Sequence, residues 1–283
     1  MSTIKLISKK EISLKELLKE NYISKRASIK LINKGLLING EISFGNRKLK
    51  VGDTVEIPIT EENIDYEPIK GKLDILYEDD QIIIINKASG ITMNSKNQVN
   101  LSNIIAYYFV KNNINRKIRL INRLDMNTSG IMLIAKNKYA QSYYQKEIEN
   151  NRLVKKYLAI VEGKLEINEK VKINITYDKD NKFYYHSQKG IEAVTIFNTI
   201  KANDKYSLVE ANILTGKTHQ IRASLRHLKH PIIGDYLYGS KYELDRFLLH
   251  SYYLEFREFI TGQEMIIKSK PDFEKYMKKL GLS

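Results

Sequence analysis

The stretch Asn122-Arg123-Leu124-Asp125-Met126-Asn127-Thr128-Ser129-Gly130 separates two short segments rich in branched apolar residues, Ile118 to Ile121 and Ile131 to Ala135. Each is bounded by polar residues, the pattern of a buried strand. The polar stretch between them is then a loop at a strand end, presenting one carboxylate, one guanidinium, two hydroxyls and a glycine. Two readings stay open here. Asp and Asn favour side-chain bonds to nearby backbone, and Gly supplies positive φ, so the segment can be an ordinary turn. It can also be a catalytic loop in which Asp125 is a nucleophile or base with Arg123 beside it.

The surroundings of this loop set the fold class. Upstream, Leu73 to Tyr77 and Ile82 to Asn86 read as strands joined by the turn Glu78-Asp79-Asp80, and Leu101 to Phe109 reads as a helix. Downstream, a helix is expected from Asn137 to Glu149. Strands follow at Lys155 to Glu162, Lys170 to Tyr177, Ile191 to Ile200 and Tyr206 to Leu214. Helical periodicity resumes from Lys217 to Leu228, and Phe247 to Phe256 and Glu264 to Lys268 add two strands. Many strands with few helices between them predict an α+β domain with a largely antiparallel mixed sheet, not a doubly wound fold.

Before this domain lies a smaller α/β unit. Leu14, Leu17 and Leu18 recur at helical spacing, with Ser13 and Glu16 placed as a capping box. A second helix follows Ser24, and on it Arg26, Lys30 and Lys34 form a basic stripe one turn apart. Asn39-Gly40 signals a hairpin, and Gly52-Asp53 precedes a last strand ending at Ile57. Thr60 to Ile69 is acidic, contains Pro68 and lacks periodicity, as a connection does. The expected division is 1–59, a connection at 60–72, and 73–283.

Composition narrows the function classes. The 283 residues carry a formal net charge of +14, which favours a polyanionic partner. There is no cysteine, so disulfides, thiolate catalysis and zinc ribbons are excluded. No apolar run has the length of a membrane span or signal peptide, and the expectation is a soluble, cytoplasmic monomer. His227 and His230 could share a helix face, but Arg226 and Lys229 beside them oppose a dication, so no metal is expected. Walker and G-x-G-x-x-G motifs are absent, and no cofactor is expected.

Four further segments bear on Asp125. Tyr157 lies in Lys155-Lys156-Tyr157-Leu158-Ala159-Ile160-Val161-Glu162-Gly163, where it is either an ordinary strand tyrosine or a ring that stacks on a planar base. Arg222 ends Thr215-Gly216-Lys217-Thr218-His219-Gln220-Ile221-Arg222, about one and a half turns into the expected helix, a place from which it can hold a carboxylate or simply be solvated. His230 to Gly239 is a glycine- and tyrosine-rich loop, and Leu248-Leu249-His250-Ser251 opens a strand.

The ordered set N-R-L-D-x-x-T-S-G, K-x-Y-x-A-x-V-x-G, T-G-K-T-H-Q-I-R, H-P-I-x-G-D-x-x-Y-G and L-L-H-S resembles the RluA-type pseudouridine synthases over Leu73 to Lys268. The unit Ile12 to Ile57 resembles the RNA-binding domain named after ribosomal protein S-four. These resemblances imply an RNA pseudouridine synthase, an isomerase without cofactor, with RNA as partner and large-subunit ribosomal RNA as the expected target. They imply that Asp125 attacks the flipped uridine, Tyr157 stacks on the uracil, and Arg222 pairs with Asp125. Arg123 would enter the RNA stack, and Leu249 would pack near the base. Arg26, Lys30 and Lys34 would face phosphates. Asn122 and Lys217 depart from the family pattern, where many members have His and Arg. Two other readings are a non-catalytic RNA-binding protein on the same fold, and a nucleoside hydrolase using Asp125 with Asp235 as a second carboxylate.

Overall fold

The computed structural model describes residues 2–93, 95 and 98–283. Its first unit runs β1 (Thr3–Ile7), β2 (Ile12–Ser13), α1 (Leu14–Glu20), α2 (Lys25–Lys34), β3 (Leu36–Ile38), β4 (Glu41–Ser43), β5 (Lys48–Leu49) and β6 (Thr54–Pro58). The sequence signals act locally as expected. Ser13 and Glu16 form the capping box of α1, and the Ser24 hydroxyl accepts from Ala27 N at the start of α2. Asn39 and Gly40 both adopt positive φ, 54° and 85°, in the turn between β3 and β4. The sheet order is β1-β6-β3-β4. β1 alternates exposed and buried residues, and Ile4 and Leu6 pack against α1 and α2 in a shared core.

The second unit continues with β7 (Ile75–Glu78), β8 (Ile82–Lys87), α3 (Leu101–Lys111), β9 (Arg119–Leu120), β10 (Ser129–Ala135), α4 (Lys138–Glu149), β11 (Val154–Glu162), β12 (Asn168–Asp178), β13 (Phe183–His186), β14 (Ile191–Ala202), β15 (Tyr206–Ile213), α5 (Gln220–His227), β16 (Leu249–Arg257), β17 (Glu264–Lys268) and α6 (Glu274–Lys279). One sheet joins its strands in the order β13-β12-β14-β15-β11-β16-β10-β8-β7, with β17 on β16 and β9 on β10. Every pairing in it is antiparallel except β10 with β16, so the class is α+β with a largely antiparallel mixed sheet. The parallel contact spans two rungs, Ser129 opposite His250 and Gly130 opposite Ser251.

Gly130 is required at that contact. Its φ is +110°, and a Cβ there would lie 2.2 Å from the Ser251 carbonyl oxygen. The strands could not approach with any side chain at this position, and this approach places the end of β16 beneath the Asp125 loop.

Among the described residues two large apolar cores pack on the sheet, with a smaller third around Leu158, Ile160, Leu248 and Phe273. One combines α3, Tyr157, Ala159, Val161 and α5, and the other combines α4, Ile82, Ile84, Ile131 and Leu133 with the first unit. Tyr22 joins the units: its carbonyl accepts from Ser142 Oγ at 2.8 Å, and its ring lies 5.8 Å from that of Tyr143. Residues 60–72 form neither helix nor strand, yet they are strapped down. Glu62 pairs with Arg119 at 2.6 Å, and Asn103 donates to the Glu67 carbonyl at 2.9 Å.

Two expectations need correction. The expected strand from Ile118 shrinks to Arg119–Leu120, because side chains take the backbone donors at its two ends: Ile118 N bonds Asp65 Oδ1 and Leu133 N, across from it, bonds Asn122 Oδ1. The helix expected from Lys217 begins at Gln220, because His219 sits at φ 54°, a left-handed conformation that a helix cannot include. Arg222 therefore lies in the first turn of α5.

Candidate active site

A cleft of about 690 Å³ opens over the sheet at the Asp125 loop. Its walls bring together Arg123, Asp125, Tyr157, Arg222 and Leu249, residues far apart in sequence. Asn122, Lys155, Lys217 and His219 line it too. Arg26, Lys30 and Lys34 are not part of it. They are exposed on α2, without an ion-pair partner among the described residues.

The loop bearing Asp125 is held on both sides. At its start, Asn122 Oδ1 accepts from Leu133 N at 2.8 Å and its Nδ2 donates to the Ile131 carbonyl at 3.3 Å. The departure at this position thus stitches the loop to β10. From one flank, the buried Lys87 ammonium donates to the carbonyls of Ala88, Ile91 and Met126 at 2.8, 3.0 and 2.9 Å. Burial pushes its pKa down to about 8, although the Asp125 charge opposes this. From below, Arg246 donates to the Asn127 carbonyl at 3.3 Å and to Asp272 at 2.5 Å. Asp272 also accepts from Ser129 Oγ at 2.8 Å.

Asp125 faces two partners. Arg222 Nη1 lies 3.1 Å from its Oδ2, and His219 Nε2 lies 3.7 Å from the same oxygen. Arg222 is fixed independently: its Nε and Nη2 donate to the two oxygens of buried Asp235 at 2.6 and 2.8 Å. The guanidinium also lies between two rings, 4.6 Å from the centroid of Tyr238 and 4.3 Å from that of Phe247. Burial would lower its pKa, but the hydrogen bond and charge of Asp235, with Asp125, raise it. Asp235 is spent on this clamp and does not line the cleft, which removes the second carboxylate that a nucleoside hydrolase would need.

His219 is held by the Tyr238 hydroxyl, 3.0 Å from its Nδ1. Burial lowers its pKa, outweighing the opposing pull of Asp125, so the ring is neutral at pH 7. Its left-handed backbone is supported by Gln220, whose Oε1 accepts from Thr215 Oγ1 at 2.8 Å and Lys217 N at 3.1 Å. Tyr157 is buried on β11, and burial raises its pKa despite a hydrogen bond from Ser251. Its phenol therefore keeps its proton. Leu249 is buried in the wall of the cleft beside the other core residues.

Arg123 differs from all of these. It is exposed at the rim, two residues from Asp125, and has neither a hydrogen bond nor an ion pair among the described residues. The two histidines considered as metal ligands are parted. The His227 ring lies 4.4 Å from that of His186, and His230 Nδ1 bonds the Glu162 carbonyl at 2.7 Å.

Sequence reasoning missed the clamp formed by Asp235 and Tyr238 around Arg222, and the part of Lys87 in holding the loop. Asp235 and Tyr238 sit in a loop whose glycines and tyrosines were visible, but only the fold aims them at Arg222.

Comparison with known proteins converges on one class. The family model described as RNA pseudouridylate synthase matches residues 81–227. An RNA pseudouridine synthase of Bacillus subtilis, YhcT, is 38% identical over 244 residues, covering 83% of this chain and 80% of the relative. The ribosomal large subunit pseudouridine synthase C of Buchnera aphidicola subsp. Baizongia pistaciae is 33% identical over 267 residues, covering 86% and 84%. Among solved structures, human RNA pseudouridylate synthase domain containing 1 shares the fold, with a TM-score of 0.61 and 24% identity over 74% of this chain and 87% of that one.

Proposed function

Because this chain belongs to the RNA pseudouridylate synthase family and is an RNA pseudouridine synthase, an isomerase, we propose that Asp125 carries the isomerisation and that the target uridine lies in large-subunit ribosomal RNA. The observation that carries this reading is the contact of Asp125 Oδ2 with a guanidinium that Asp235 has already fixed, at the floor of a cleft shared with Tyr157.

In the reaction, the bond from uracil N1 to C1′ of the ribose breaks, the uracil rotates, and a bond forms from its C5 to C1′. The C5 proton leaves to solvent, and N1 gains one. The fixed Arg222 guanidinium lies 3.1 Å from Asp125 Oδ2, so a cation faces the carboxylate from the floor of the cleft. An ionised carboxylate at the glycosidic bond offsets the charge that builds on the sugar as that bond breaks, as in glycoside hydrolysis. Tyr157, protonated and buried, serves as the platform for the ring and as a proton donor, not as a base at neutral pH. The neutral His219 leaves the carboxylate to Arg222 and adds no second cation.

The uridine has to leave its stack to reach Asp125, at a cost of roughly a few kcal/mol. Arg123 offsets that cost by filling the gap: a planar cation at the rim, unpaired among the described residues, can stack between bases. Residues 1–59 act as a holding module, with Arg26, Lys30 and Lys34 on phosphates. The site reaches only an extruded nucleotide, and the α2 stripe holds RNA without reading its bases.

The relative named for the large ribosomal subunit supports the choice of target. A transcript of that RNA labelled with tritium at uracil C5 should release tritium without free uracil, and mapping of pseudouridine should place the product in it. Release from transfer RNA but not from the ribosomal transcript would overturn the target. Free uracil would overturn the isomerisation.

A further inference from the structure

Lys155 is a charged cleft residue with no part in the chemistry above. It lies on β11 two positions before Tyr157, on the same face of the strand, about 7 Å along it. It lines the cleft together with Asn122, Ile148 and Ile213. Only 8% of it is exposed. Its ammonium has no hydrogen bond, ion pair or ring contact among the described residues. The other cations of the cleft are accounted for: Arg222 is held by Asp235 and Asp125, while Arg123 and Lys217 are exposed at the rim.

An ammonium carries three donors and no acceptor, and burying it unpaired is costly. Burial pulls its pKa down to about 8, with no nearby charge contributing. A lysine that only covered apolar surface with its stem would carry its head to water. Here the side chain lines the cleft although most of it is covered.

We propose that Lys155 is the binding site for one backbone phosphate of the RNA strand that carries the target uridine. An anion is the partner that best offsets the burial of a lone cation, and the RNA brings one at every nucleotide. With a base on Tyr157, the strand neighbour two residues back is placed to hold the backbone that leads into the cleft. Lys155 is thus a binding residue inside the cleft, separate from the α2 stripe that holds RNA from outside. The inference rests on the RNA-modifying reading of this cleft.

The test uses full-length protein and a tritium-labelled transcript of large-subunit ribosomal RNA. Lys155→Met keeps the apolar stem and removes the charge, while Lys155→Arg keeps the charge. Binding isotherms are taken at several salt concentrations, and single-turnover release is measured at saturating enzyme. The expected result is that Lys155→Met weakens binding about tenfold or more and lowers the salt slope by about 0.7. Lys155→Arg should bind within about threefold of the parent, and both variants should keep the saturated rate within about threefold. Unchanged affinity and slope in Lys155→Met would overturn the inference, as would a fall in saturated rate with affinity intact. Absence of release by the parent protein would instead strike the choice of RNA target, and the binding arm would still judge Lys155.

Discussion

Arg222 meets Asp125 through a single nitrogen, because its other two are committed to Asp235. The guanidinium is therefore placed before any substrate arrives. A carboxylate beside a pre-positioned cation needs no reorganisation when charge develops, and that is how a fixed electrostatic site lowers a barrier.

Asp235→Asn tests this arrangement. The substitution leaves a buried guanidinium without its counter-charge, so stability should fall by about 3 kcal/mol. Arg222 then loses its fixed orientation, and the single-turnover rate should drop on the order of 100-fold. Thermal denaturation and tritium release measure the two effects. A destabilised but folded variant with the parent rate would show that Arg222 needs no anchor.

Arg123 is exposed and makes no hydrogen bond or ion pair among the described residues, so its removal should not disturb Asp125. Arg123→Ala should lose roughly ten- to a hundredfold more activity on a uridine held in a stem than on one in a flexible strand, since unstacking costs more there. Arg222→Ala should harm both substrates alike. Single-turnover rates on the two RNAs, with circular dichroism as a folding check, decide it. Equal losses for Arg123→Ala would assign that residue a structural role.

The buried Lys155 makes a pH-dependent prediction that needs no RNA. Its folded pKa, about 8, lies below the ordinary 10.5, so folding disfavours its charged form. That cost is fully present below pH 8 and is relieved as pH rises towards 10.5. Lys155→Met should therefore be more stable than the parent at pH 7, by on the order of 1–3 kcal/mol. The gap should close between pH 8 and 10.5, because other titrating groups are common to both proteins. Denaturant melts at pH 7 and pH 10 measure it. A gap that is constant with pH would mean that burial does not act on this charge.

The α2 stripe should govern affinity and not rate. Replacing Arg26, Lys30 and Lys34 together by Gln should lower the salt slope of binding by about 2, at about 0.7 per phosphate. The saturated single-turnover rate should stay within about threefold of the parent. An unchanged slope would place the RNA elsewhere on the surface.

Much of this was legible in the sequence where the signal is local. The capping box at Ser13, the cap at Ser24 and the Asn39-Gly40 turn are set by residues within four positions of each other. The branched runs Ile82 to Ile85 and Ile131 to Ile134 declare strands because both of their faces are buried. Asp125, Tyr157 and Arg222 were found together through spaced motifs, and the fold brings them to one cleft. What escaped depends on contacts across the chain. β13, with partly exposed aromatic residues, lacks alternation, and its place is set by β12. Tyr238 looks like a turn tyrosine until its ring is seen beneath Arg222. The start of α5 was misplaced because a single left-handed residue, His219, leaves no mark on periodicity.

One substitution separates an Asp125 that performs the reaction from one that only shapes the loop. Asp125→Asn keeps the size of the side chain and removes its charge. Tritium release and an RNA-binding isotherm, measured on the same preparation, give the direct test. No detectable release is expected, with affinity within about tenfold of the parent, because affinity comes mainly from phosphate contacts. Turnover near that of the parent would contradict a catalytic Asp125.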